Sequence, residues 1–152
     1  MRRQRMGILA AILFLTVHPA SLALVSDTRA EASAMRVLDD FMAAFNARDV
    51  QALEKTFHFP HYRIASGSVS VLGEAGSRPD AIERFIAATP GWHHSAWERR
   101  KVIHAGAGKV HIDTRFIRYR ADGSVIARFD SLYIVTHQDG RWGVKARSSF
   151  AP

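Results

Sequence analysis

An α+β domain is predicted by three features of the chain. Apolar residues recur at three- and four-residue spacing in its first half, the second half alternates with period two, and Asp-Gly pairs punctuate that half at 122–123 and 139–140. Helices therefore come first and an antiparallel meander last. A length of 152 residues with 47% hydrophobic and 23% charged residues supports one compact domain with one core. The sequence contains no internal repeat, low-complexity segment or linker.

The first 23 residues read as a signal peptide rather than part of that domain. Arg2, Arg3 and Arg5 precede a largely apolar run from Met6 to Val17, and "HPASLA" then sets Ser21 and Ala23 at signal-peptidase spacing. Such a run is shorter than the roughly 20 residues a spanning helix needs, so export outweighs a membrane anchor. The mature domain then covers residues 24–152, is periplasmic or secreted, and has no membrane attachment after cleavage. Absence of cysteine removes any disulfide framework.

The formal charge of +7 falls once the leader is gone: 18 basic residues remain of the 21, against 14 acidic ones, a net +4. The remaining Lys and Arg are scattered, with no recognition-helix or zinc-finger pattern, and nucleic acid is not the expected partner.

Along the mature chain, "TRAE" at 28–31 has capping-box form and Val37, Leu38, Phe41, Met42 and Phe45 form an apolar stripe, which predicts a helix over about 28–47. Asp49 caps a short second helix, and Ser77 with Pro79 opens a third carrying Ile82, Phe85 and Ile86. Between them, "TFHFPHYRIASG" and "GSVSVLGEAG" read as strands. Four more follow in "WERRKVIHA", "KVHIDTRFIRYR", "SVIARFDSLYIVTH" and "RWGVKARSSF", the last three joined by the two Asp-Gly hairpin signals.

This order, with "DDFMAAFNARDVQALEKTF" as paired opening helices and "FIRYRADGSVIARFDSLYIVTHQDGRWGVKARSSF" as the meander, resembles the nuclear-transport-factor-2-like superfamily over about residues 28–150. That superfamily includes SnoaL-like and ketosteroid-isomerase-like proteins. The resemblance implies a cone-shaped curved antiparallel sheet, three helices in the N-terminal half that enclose a pocket, and a homodimer. It does not fix an activity, because one fold hosts enzymes, binders and assembly modules. The catalytic aspartate of ketosteroid isomerases would match Ile64 or Ala65 here, and no Asp or Glu occurs from Phe57 to Gly73.

Counting outward from two-residue turns predicts the register of the meander. Thr114 faces Ser131, which faces Ser148; Phe116, Phe129 and Phe150 align beside them, and Ile112, Tyr133 and Ala146 on the other side. Three hydroxyl residues between apolar rows form a candidate ligand wall of Thr114, Phe116, Phe129, Ser131 and Ser148, or a set that only bonds itself. The opposite face, with Arg115 across from Asp130 and Arg128, Lys145 and Arg147 nearby, reads as solvent-facing ion pairs. Arg118 and His137 are further titratable groups of the wall.

In the first strand His61 and Arg63 share one face and Tyr62, Ile64 and Ser66 the other, which is more apolar, so strict alternation points His61 and Arg63 away from the core, unless a bend at Pro60 changes the parity. "GWHHSAWE" offers Trp92 and Trp97 as stacking partners and His93 as a hydrogen-bonding group, or all three as packing. No metal ligands occur at zinc spacing, and no phosphate loop, nucleophile elbow or cofactor motif is present.

These readings favour an exported, cofactor-free binding domain for a small apolar or aromatic ligand. The alternative is a SnoaL-like lyase, isomerase or hydrolase with His61 as acid/base, Arg63 steadying negative charge and Tyr133 orienting substrate. A third is a dimerising accessory protein with a filled cone.

Overall fold

The computed structural model describes residues 19–152, so most of the predicted leader lies outside the described residues. Its elements, in chain order, are α1 (Pro19–Asn46), α2 (Val50–Lys55), β1 (Phe57–Ala65), β2 (Ser68–Leu72), α3 (Ala81–Ala88), β3 (His94–Gly106), β4 (Lys109–Tyr119), β5 (Val125–Gln138) and β6 (Arg141–Ser149). The α+β class and the order of elements are those predicted. One curved, unclosed sheet has the order β2-β1-β6-β5-β4-β3. The β1–β6 pair is parallel and the others antiparallel. No helix among the described residues is long and apolar enough to cross a membrane.

Helix α1 starts earlier than the capping-box reading, running through Thr28 from Pro19. Its buried stripe of Ala30, Ala34, Val37, Leu38, Phe41 and Ala44 lies across the sheet, where it meets Val110, Ile112, Tyr133, Val135 and Val144. Asn46, at its end, locks onto β3: its side chain donates to the Ser95 carbonyl and accepts from the Ser95 amide, both at 2.8 Å. Asp49 caps α2 as expected, accepting from the Ala52 amide at 2.9 Å. Ser77 does not cap α3; its hydroxyl donates to the Glu74 carbonyl, and the helix begins after Asp80. Pro79 disfavours helical geometry at the residue before it, which delays the start.

The two Asp-Gly turns differ. Asp139 and Gly140 both have positive φ, 52° and 76°, the conformation of a two-residue type I′ turn. At the other turn only Gly123 does, and the Arg120 amide bonds to the Ser124 carbonyl around a three-residue loop. A bulge between Arg118 and Tyr119 absorbs the extra residue, so Thr114–Ser131, Phe116–Phe129 and Arg115–Asp130 pair as counted. In β6 a second bulge, at Lys145, shifts the register by one. Ser131 therefore pairs with Ser149, not Ser148, and Tyr133 with Arg147, not Ala146. Phe150, expected beside Phe129, is 80% exposed.

Where β6 passes beneath β1, Gly143 permits a close approach. His58, buried and bonded through Nε2 to the Thr136 carbonyl, would lie 2.8 Å from a Cβ on residue 143. Gly143→Ala is expected to destabilise by about 1–3 kcal/mol through overpacking. Urea unfolding checks this, and an unchanged midpoint would mean that His58 steps aside without cost.

Candidate functional site

The side of the sheet that faces α1 is set by Phe57, which is buried 6.0 Å from Phe41 between ring centroids. The β1–β6 pairing is irregular between Phe57 and Tyr62; beyond it the burial pattern turns His61, Arg63 and Ala65 inward and Tyr62 and Ile64 outward. This reverses the orientation expected from apolarity alone. Tyr62 and Ile64 pair with Val71 and Val69 of β2, and all four are exposed. Arg63 stands in register with Arg147 of β6, and Arg147 with Tyr133 of β5.

Three arginines thus meet on the inner face, contributed by β1, β4 and β6. Arg118 is buried, with its guanidinium carbon 4.7 Å from the Phe129 ring centroid, 4.8 Å from Phe85 and 5.8 Å from Phe116. Burial first, and then the charges of Arg63 and Arg147, lower its pKa to about 10, so it stays cationic at neutral pH. Arg147 lies 5.3 Å from the Phe41 ring centroid and stands in register with Tyr133 of the neighbouring strand. Arg63 donates to the main-chain oxygen of the last residue, Pro152, at 3.0 Å. Its pKa is lowered by burial and by Arg147.

His61 completes the group. Its ring stacks on Phe57 at 4.1 Å, and Nδ1 donates to the Val144 carbonyl at 3.0 Å, which leaves Nε2 as a bare acceptor. Burial, followed by Arg147, lowers its pKa to about 4. The side-chain atoms His61 Nε2, Arg118 Nε and Arg147 Nε are all buried without a hydrogen-bond partner.

Among the described residues no aspartate or glutamate is bonded to these groups; Asp39 of α1 pairs with Arg100 of β3 instead, at 2.6 Å. The acidic residues of the meander lie on the other side: Asp130 takes two 2.8 Å bonds from Arg115 and one from Arg99, Asp113 binds Arg99, and Glu98 binds Arg128. That face is the ion-paired surface expected of Arg115 and Asp130.

The remaining expected site residues divide. Thr114, Phe116, Phe129, Ser131 and Tyr133 line the inner face together, but the hydroxyls bond within the sheet. Thr114 donates to the Ser131 carbonyl at 3.1 Å, and Ser131 to the Ser149 hydroxyl at 2.9 Å. Ser148 turns outward opposite Leu132, because of the Lys145 bulge. Trp92 is buried packing, its indole bonded to Ser95 and its ring against Phe45 and Phe85. Trp97 packs between Phe41 and Tyr133 and donates to the Leu38 carbonyl. His93 is exposed, 3.0 Å from His94 between Nδ1 atoms and away from the arginines. Among the described residues no three His, Cys, Asp or Glu are grouped to hold a metal.

Arg147, like Ser148, His61 and Arg63, lies on the face opposite to the one the sequence predicts. No glycine or proline marks the bulge, and "VKARS" alternates smoothly through it. Arg118 was legible, two and four residues beyond Phe116 and Thr114 on the same strand.

A family model described as an NTF2-like protein (DUF6841) matches residues 30–149. Comparison with curated protein sequences gives no match. Among solved structures, a protein of unknown function with a cystatin-like fold from Nostoc punctiforme PCC 73102 superposes with TM-score 0.68 at 9% identity, over 80% of this chain and 90% of that one. An NTF2-like protein of unknown function from Pseudomonas putida KT2440 gives 0.65 at 16% identity, over 82% and 88%. A putative ketosteroid isomerase from Shewanella frigidimarina NCIMB 400 gives 0.60 at 10% identity, over 77% and 94%. At these identities the likeness is one of fold.

Proposed function

The chain belongs to the NTF2-like DUF6841 family, and on that premise we propose that it is an exported domain that binds a small, partly apolar molecule between its sheet and its helices. One observation carries the reading: His61, Arg118 and Arg147 each bury a polar atom without a partner on the same inner surface. A buried donor or acceptor left unpaired costs about 1–3 kcal/mol. Three such costs on one surface, beside Phe85, Phe116 and Phe129, suit a site whose polar groups are completed by a ligand and whose apolar groups receive its body. Export rests on the basic, apolar and small-residue order of residues 1–23.

The catalytic alternative has a specific feature in its favour, since the Nδ1 bond to Val144 orients Nε2 as a proton acceptor. A pKa of about 4 makes that acceptor a weak base near neutrality, which favours binding over proton abstraction.

A substitution pair tests the site. Ser131→Phe, which projects a ring from the middle of the inner wall, is expected to abolish the binding of aromatic and alicyclic compounds measured by calorimetry. Arg128→Ala, on the outer face at its ion pair with Glu98, should leave binding intact. The reverse pattern would put the site on the other face of the sheet.

A further inference from the structure

We infer that the ligand of this site is an organic carboxylate with a ring-sized apolar body, its anionic end held by Arg118 and Arg147. The inference deepens the small-molecule reading above and rests on it. Its ground is the contrast between the two faces of one sheet. On the outer face Arg99, Arg115 and Arg128 each bind an aspartate or glutamate. On the inner face Arg118 and Arg147 each bury Nε without a hydrogen-bond partner, and burial first, then the charges of Arg63 and Arg147, lower the pKa of Arg118. Arg63 has an acceptor in the main-chain oxygen of the last residue, Pro152, at 3.0 Å. The guanidinium of Arg118 lies over the rings of Phe85, Phe116 and Phe129, with its Nε unpartnered.

Like charges gathered in a partly dry site are unfavourable unless an opposite charge joins them. Guanidinium groups present paired N–H donors that fit a carboxylate in two parallel bonds. The Tyr133 hydroxyl, whose pKa burial raises, keeps its proton to donate to a ligand oxygen. Phe85, Phe116 and Phe129 surround Arg118, so the atoms next to the anionic end meet rings rather than water. This setting selects a weakly hydrated anion over a phosphate dianion, whose desolvation costs far more.

Calorimetry and thermal shift of the purified protein with benzoate, cyclohexanecarboxylate, their neutral amides and inorganic phosphate provide the test. The carboxylates are expected to bind and the amides to bind at least about tenfold more weakly, the cost of losing a charge-assisted bond. Arg118→Met and, separately, Arg147→Met should lower carboxylate affinity about 10- to 100-fold and leave amide affinity unchanged. Without ligand, both variants should melt no lower than wild type, because each removes an uncompensated buried charge. A purely structural role for the arginines would instead lower the melting temperature in both variants and leave the carboxylate-to-amide ratio unaltered, which would overturn the inference. Amides that bind as well as carboxylates would also overturn it while the small-molecule reading stood. Preferential binding of phosphate would reject the carboxylate, and failure of every compound to bind wild type would reject both readings.

Discussion

Phe41→Ala is expected to destabilise the protein by about 3–5 kcal/mol, the range for truncating a buried aromatic side chain. Phe41 is 4% exposed and sits where α1 crosses the sheet. Its ring meets Tyr133 at 5.6 Å in an edge contact, Phe57 at 6.0 Å and Trp97 at 6.4 Å, and stacks along the helix with Phe45 at 6.3 Å. Removing it opens a cavity bounded by four rings from three strands and one helix, which are too large to collapse together. Against a total stability of about 5–15 kcal/mol the loss is a large fraction. Urea unfolding measures it, with Phe150→Ala as the control: that side chain is 80% exposed and should change the midpoint little. A loss below about 1 kcal/mol for Phe41→Ala would mean that α1 does not seal the sheet as described.

Acidification through the range of His61 is the second large effect. In the folded protein its pKa is about 4, against an ordinary value of 6.5. Between those values the unfolded chain binds a proton that the folded protein does not, so stability falls as pH falls. The contribution is fully present above pH 6.5, declines down to about pH 4, and amounts to about 3 kcal/mol. Burial is the main cause, followed by Arg147, with the bond to Val144 opposing and Lys145 and Arg63 adding smaller depressions. His58, also lowered chiefly by burial, acts in the same direction. Unfolding measured at pH 7 and pH 5 in wild type and His61→Gln separates the two. The variant should lose the larger part of the pH dependence, and a variant that keeps all of it would show that His61 protonates freely in the folded state.

Much of this fold is written locally. The stripe of Val37, Leu38 and Phe41 calls for a helix wherever it is placed, because period 3.6 leaves no other way to gather those residues on one face. Asp49 caps the second helix by its own side chain, and the β4–β5 register follows from counting outward from one turn. There two departures cancelled, since the loop is a residue longer than counted and the Arg118 bulge takes that residue back. In β6 the turn was counted correctly and the bulge at Lys145 went uncompensated. A one-residue slip exchanges the faces of every residue beyond it. It turned Arg147 from a surface charge into a member of the inner cluster and took Ser148 out of the wall.

By itself, then, the sequence determined the class of the domain, the order of its elements, the turns of the meander and the face carrying Thr114, Phe116, Arg118, Phe129, Ser131 and Tyr133. Helical and strand periods, caps and glycine turns are properties of short segments, and short segments suffice to read them. Only the tertiary structure decided that β1 runs parallel to β6, that His61 and Arg63 turn inward while the more apolar Tyr62 and Ile64 turn outward, and that Arg147 joins them. Those choices depend on contacts between residues about 80 positions apart, such as Arg63 with Arg147 and His61 with the Val144 carbonyl. There polarity ceases to report burial, because the long-range strand pairing, and not the polarity of each side chain, decides which residues of β1 and β6 turn inward.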